Sequence, residues 1–145
     1  MQSRIGHKFA NPDLLREALI HSVEMPLSPG IRSNGKLAWL GDAVIDLFVS
    51  EDLYDLMAGD YLGALDHAHQ GIVNEDSVAK AAEELDLPRH LMTSLGKPIP
   101  PEQMGPRAMA QAFEAIVGAL YLDAGAESAR DLVRNSLGLK PRNRS

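Results

Sequence analysis

The chain has 145 residues, 45% hydrophobic and 23% charged, the proportions of a single soluble globular domain large enough to bury a core. It contains no cysteine, which excludes disulfides, thiol catalysis and Cys-ligated zinc, and no apolar run near the roughly 20 residues that span a bilayer. A formal net charge of −6 argues against a protein that works by diffuse attraction to phosphate, but it is compatible with carboxylates that hold metal ions.

In chain order, the opening MQSRIGHKF has no secretory hydrophobic region and no transit-peptide character. An intracellular, cytoplasmic setting is expected, or an organelle such as the mitochondrion if a leader has been removed. Asn11, Pro12 and Asp13 form a helix-start signal, and the pattern predicts a helix over residues 12–22 that buries Leu14, Leu15, Ala18 and Leu19. Residues 25–33, with Pro26, Pro29 and Gly30, read as loop. A central helix is predicted over residues 36–58, ended by Gly59. Leu37, Leu40, Val44, Ile45, Leu47 and Phe48 form its buried face by helical spacing. Shorter helices are predicted over 61–71, 74–85 and 88–95, the last opened by the Leu87-Pro88 boundary. Residues 96–106 carry Pro98, Pro100, Pro101 and Pro106 and are the least regular internal stretch. A strongly apolar helix over 107–123 stops at Ala124-Gly125, and a last helix over 127–137 follows. No stretch reads as strand and no repeat is visible, so the expected fold is all-α. One domain over residues 1–138 is expected, with a short basic tail over 139–145 that includes Lys140, Arg142 and Arg144.

Two helices carry an isolated carboxylate within an apolar run: Asp42 in NGKLAWLGDAVIDLF and Glu114 in QAFEAIVGALYLDAG. The commonplace reading is an acid at the polar margin of an amphipathic helix. Yet a carboxylate among packed apolar residues is costly unless a cation or donor meets it. Two such helices packed together would bring two carboxylates into one apolar setting, which is how a divalent metal site is made.

LAWLGDAV resembles the signature of the ribonuclease III family, usually a Glu-rich helix ending in Leu-Gly-Asp-Ala. FANPDLLREALIHSV resembles that family's first helix, with landmarks at Leu14, Leu15, Ala18, Leu19, His21 and Ser22, and AFEAIVGALYLDAG resembles its last conserved helix. The three occur in the family's order and span most of residues 4–137. The resemblance implies the helical endonuclease-domain fold, a two-fold homodimer, and Mg²⁺-dependent cleavage of double-stranded RNA to products with 5′-phosphates and short 3′ overhangs. Mn²⁺ would be an alternative ion, and no small-molecule cofactor or membrane is implied. Aligned on Leu-Gly-Asp-Ala, the family's two signature glutamates fall at Gly35 and Ala38 and its aspartate at Asp42. On the late helix, its aspartate falls at Gln111 and its glutamate at Glu114. A further acidic position falls near Gly59 or Asp60. Asp42 and Glu114 are thus the expected catalytic and metal-holding residues, from a reduced set of acids. Gln111 and Asp46 are expected around them, since a neutral amide can still orient water. The compact Mini-III branch, which lacks an RNA-binding domain, reads Leu-Ala-aromatic-x-Gly-Asp and Ala-Phe-Glu-Ala as this chain does, although the His-x-Ser first helix here is that of the longer enzymes; either a nuclease domain alone or one of the compact forms is expected.

Trp39, the only tryptophan, is by composition an ordinary core residue. By resemblance, it is a knob that enters a pocket of the partner subunit, with Leu40 at the same interface. Lys97 and Arg107 are candidate phosphate contacts, for which a surface role serves equally. His67 and His69 point to different helix faces and are expected to be solvated or locally bonded. His21 is expected to satisfy polar groups beside the first loop, Asp123 to be structural, and Glu75, Asp76, Glu83 and Glu84 to form a solvated face. The competing function is a catalytically silent protein of the same fold that binds structured RNA, scaffolds a complex such as a ribosome, or partners an active subunit. Ala38 and Gln111 favour it, and the retained Asp42 and Glu114 favour the enzyme.

Overall fold

In the computed structural model, residues 1–21, 32–59 and 61–139 are described, and among them the regular structure is helical. The helices are α1 (Gln2–Ile5), α2 (Pro12–Ala18), α3 (Gly35–Leu56), α4 (Leu62–Ile72), α5 (Glu75–Glu84), α6 (Pro106–Ala124) and α7 (Ala126–Leu137). Single 3₁₀ turns lie at Pro88–His90 and Pro101–Gln103. The all-α expectation holds. The short α1 was not anticipated.

The architecture is a bundle built around α6. From Met109 to Leu120 this helix is buried on almost every side, as a helix that is apolar all round must be. α3 crosses one flank, α5 packs on another, and α2 and α7 close the rest, while α4 rests on α3. Phe48, Phe113, Ile45, Leu87, Leu91, Ile116 and Leu120 are among the largest fully buried side chains of the core. Local signals start and stop the helices. Asn11 Oδ1 accepts from the backbone N–H of Asp13 at 3.1 Å, and Asn74 caps α5 by accepting from Ser77 N–H at 2.9 Å. Gly125, at φ 92°, makes the corner between α6 and α7.

Three expectations are corrected. The helix expected to reach residue 22 ends at Ala18. Beyond it, the backbone N–H of Met92 donates to Leu19 O at 2.9 Å and that of His21 to Met92 O at 2.9 Å, a parallel bridge between Ile20 and Met92. The same pairing reduces the helix expected over 88–95 to its first turn, because residue 92 is extended between Ile20 and Pro98. Tertiary backbone bonds outweigh local propensity here. Finally, the expected buried faces are narrower. Leu37, Val44, Ile45 and Phe48 are buried but Leu40 only partly, and Leu47 is 58% exposed; in α2 only Ala18 is fully enclosed. The loop expected over 25–33 falls mostly outside the described residues, as do Asp60 and the basic tail beyond residue 139.

A polar tie fixes α7 to α3. Asp52 is buried, and its carboxylate accepts from Nε and Nη2 of Arg134 at 2.9 and 2.8 Å. Beside it, Arg130 pairs with Glu51 at 3.3 Å and lies over the Phe48 ring at 4.8 Å. Among the described residues, no helix is long and apolar enough to cross a membrane.

Candidate active site

α3 and α6 meet backbone to backbone. A Cβ placed on Gly41 would lie 1.7 Å from the carbonyl oxygen of Glu114, and one on Gly118 would lie 2.3 Å from that of Leu37. Both obstacles are main chain, so only glycine allows this approach. Asp42 follows Gly41, and Glu114 is the residue whose carbonyl Gly41 meets. The crossing therefore delivers both side chains to the same place.

That place is a cleft of about 580 Å³. Gly35, Ala38, Trp39, Asp42 and Ile45 form the α3 wall; Arg107, Ala110, Gln111 and Glu114 form the α6 wall; Val73, Asn74, Glu75 and Val78 close the third side. Asp42 is exposed and Glu114 half-buried, so the carboxylates stand on an open, mixed lining instead of the apolar interior expected for them. Even so, the Glu114 carboxyl is pushed up to about 7, first by burial, then by the Asp42 charge, a side-chain hydrogen bond with Asp42 and the Asp46 charge. Asp46 is raised by burial and by Asp42, against the lowering influence of His69, whose Nε2 lies 3.3 Å from Asp46 Oδ1.

The remaining expected residues divide. Gln111 lines the cleft and its Nε2 donates to Asn34 Oδ1 at 3.0 Å. Arg107 also lines the cleft, while Lys97 lies in a turn outside it, where its N–H donates to Thr93 Oγ1 at 3.2 Å. Trp39 is 77% exposed at the rim, which overturns the core reading of a lone tryptophan. Leu40, partly buried, joins Leu14, Leu37 and Leu122 around a separate surface groove that Trp39 also borders. Asp123 is structural as expected: it accepts from His7 Nε2 at 2.7 Å and from the N–H groups of Ala10 and Asn11 at 2.9 Å. His67 is exposed and His69 is locally paired. Among the described residues, the buried Nδ1 of His21 meets no hydrogen-bond partner, and the first loop beside which it was expected to act lies mostly outside them. Two cleft residues escaped the sequence reading. Asn34 is fully buried, and although its place before α3 suggests an ordinary cap, its side chain reaches Gln111 instead. Glu75 was grouped with a solvated face, yet it forms part of the cleft wall.

Among the described residues, no three His, Cys, Asp or Glu side chains lie close enough to hold a metal ion between them. The pair of Asp42 and Glu114 nevertheless fits one Mg²⁺, which is commonly held by one or two carboxylates and keeps several waters. The mutual repulsion of these two carboxylates, which raises Glu114, is what a bound cation would relieve.

A family model described as Ribonuclease-III-like matches residues 11–140. The chain is 42% identical over 135 residues to the Ribonuclease 3 of Bdellovibrio bacteriovorus, covering 92% of this chain and 58% of that protein. It is 40% identical over 139 residues to the Ribonuclease 3 of Desulforamulus reducens, covering 94% and 56%. The chain thus spans little more than half the length of these curated relatives. Two solved structures of the nuclease domain of ribonuclease III from Campylobacter jejuni match with TM-scores of 0.81 and 0.76 at 32% and 30% identity. Each covers 94% of this chain, and the match takes in 92% and 90% of those chains. The first of them concerns flexibility in a region involved in dimer formation.

Proposed function

The chain belongs to the ribonuclease III family, and from that premise we propose that it is the nuclease domain of a divalent-metal-dependent endonuclease acting on double-stranded RNA. The observation that carries this reading is the pair of Asp42 and Glu114, brought to one open cleft by the α3–α6 crossing. These two residues would hold the ion. When bound, Mg²⁺ or Mn²⁺ supplies a Lewis acid that makes water nucleophilic at neutral pH and offsets charge on the phosphate. The chain's own part is to hold two carboxylates side by side, to release the Glu114 proton when a cation replaces it, and to present Arg107 in the same wall to a phosphate. A cytoplasmic setting and a homodimer built on Trp39 and Leu40 belong to the same proposal, as does the extent of the domain over residues 1–138.

Cleavage of a long labelled RNA duplex by purified protein tests it, in Mg²⁺ or Mn²⁺ against EDTA. We expect metal-dependent products that Asp42→Ala and Glu114→Ala each reduce by a factor on the order of 10³ or more, since each removes half of the charged ligand set. Unchanged cutting by both variants sinks the assignment. The second reading, a catalytically silent member of the family, is favoured by the apolar Ala38 and neutral Gln111 in the cleft wall. Absence of cleavage at high protein concentration, from a folded wild-type chain, would establish it.

A further inference from the structure

Arg107 is the only cation among the described residues that line the cleft. Asp42, Glu75 and Glu114 line it as acids, and Asp46 adds its charge from beside Glu114. Every other described arginine has a partner within the protein: five pair with a carboxylate, and Arg4 donates to the backbone oxygen of Glu84. Arg107 is exposed and has no such partner among the described residues, although Glu75 stands in the same cleft. Its place in the helix gives it no structural task either. It lies in the first turn of α6, which holds no acidic residue and has no side-chain cap. A cation at this positive end of the helix dipole is disfavoured. The fold therefore gains nothing from a guanidinium at this position. The cleft does, because a polyanion entering it meets several carboxylates and a single positive charge. Arg107, Gln111 and Glu114 follow one another at helical spacing along α6, and seven residues set Arg107 about 10 Å along the axis from Glu114.

We propose that Arg107 is the residue by which this cleft grips the RNA backbone without help from a metal ion: it binds a phosphate flanking the scissile one, through the charged, bidentate hydrogen bonds that a guanidinium makes. This rests on the reading of the cleft as the nuclease site. It separates the hold on the strand, which is Arg107's, from the chemistry, which belongs to Asp42 and Glu114. A contact to phosphate carries no sequence information, so the grip is the same for any duplex.

Fluorescence anisotropy reads this grip without metal or cleavage. Two labelled RNA duplexes of unrelated sequence are titrated with the purified chain in EDTA, from about 50 to about 200 mM salt. Arg107→Gln should bind both duplexes about tenfold more weakly at the lowest salt, and the slope of log affinity against log salt should become shallower by about 1. Arg107→Lys keeps the charge and loses the fork, so it should keep the wild-type slope and lose affinity only about threefold. Both variants should melt within about 2 °C of the wild type. Equal binding by the wild type and Arg107→Gln, a loss confined to one of the two sequences, or no duplex binding by the wild type at the lowest salt would each overturn the proposal. So would Arg107→Gln melting far below the wild type, which would assign the arginine to the fold. Wild-type cleavage in Mg²⁺ together with unaltered binding by Arg107→Gln removes this grip and leaves the nuclease reading. The expected binding pattern with no cleavage in Mg²⁺ or Mn²⁺ supports the grip and removes only the nuclease reading.

Discussion

At neutral pH, the Glu114 carboxyl stands near its midpoint, pushed to about 7 by burial and by Asp42. A carboxyl with a folded pKa above its unfolded value, here 4.5, binds more protons in the folded state. The stability it contributes is therefore fully present below about pH 4.5 and is lost as pH rises through about 7. The metal-free protein should melt at a lower temperature at pH 8 than at pH 6. Glu114→Gln should flatten that dependence, and added Mn²⁺ should reverse the high-pH loss by replacing the proton. Melting curves across this range check the sign, and a metal-free stability that climbs from pH 6 to 8 in step with the wild-type Glu114 would refute it. Asp123 works in the opposite sense and in another window. The His7 hydrogen bond and the backbone N–H of Asn11 lower its pKa, so its contribution is present above the ordinary carboxylate range and fades only in acid. At this scale, Asp42 and Glu114 were legible because a carboxylate inside an apolar helical run needs a reason. Asn34 and Glu75 were not, because a polar residue beside a helix start has an ordinary capping or dipole role that local sequence cannot distinguish from a reach across the fold.

Helices were legible as units because their apolar spacing and their caps are local. Their pairing was not, and the two crossing glycines show why. Gly41 and Gly118 each sit mid-helix, where alanine is ordinarily worth up to about 1 kcal/mol. Here the Cβ would meet main-chain oxygen at 1.7 and 2.3 Å, and no side chain can swing away. Gly41→Ala and Gly118→Ala should therefore destabilise the fold by about 2 kcal/mol or more in urea unfolding, Gly41→Ala the more strongly. A gain in stability at either position would mean that the helices are farther apart than described. The tie between α3 and α7 gives a second prediction for the elements. Asp52 is buried with Arg134 as its bidentate partner, so Arg134→Met leaves a carboxylate enclosed without its cation and should cost about 3 kcal/mol. The double variant Arg134→Met with Asp52→Leu should recover part of that loss, because the penalty lies in the stranded charge. Recovery would be absent if the arginine served only to pack. In the sequence Asp52 is one acid among several on its helix, and nothing local announces a partner on the last helix of the bundle.

For the molecule as a whole, composition spoke clearly about class and said little about surface. Hydrophobicity does not distinguish a residue destined for the core from one destined for a partner, which is why Trp39 had two readings. Its 77% exposure rules out the core reading. Trp39, Ala43, Leu47, Ser50 and Tyr54 follow one another at helical spacing along the exposed flank of α3, and beside Trp39 lies the groove formed by Leu14, Leu37, Leu40 and Leu122. An exposed surface of this kind is a candidate interaction site, and in a two-fold dimer each Trp39 would meet the other copy's groove. A tryptophan at the centre of an interface commonly carries about 2 kcal/mol or more, and two-fold symmetry counts it twice. Trp39→Ala should accordingly raise the dimer dissociation constant by a factor on the order of 10³. Sedimentation at micromolar concentration should show wild-type dimer and mostly folded Trp39→Ala monomer, with circular dichroism confirming that the helices persist. A wild-type chain that sediments as monomer would refute the dimer. A Trp39→Ala chain that remains fully dimeric would move the interface away from the α3 flank.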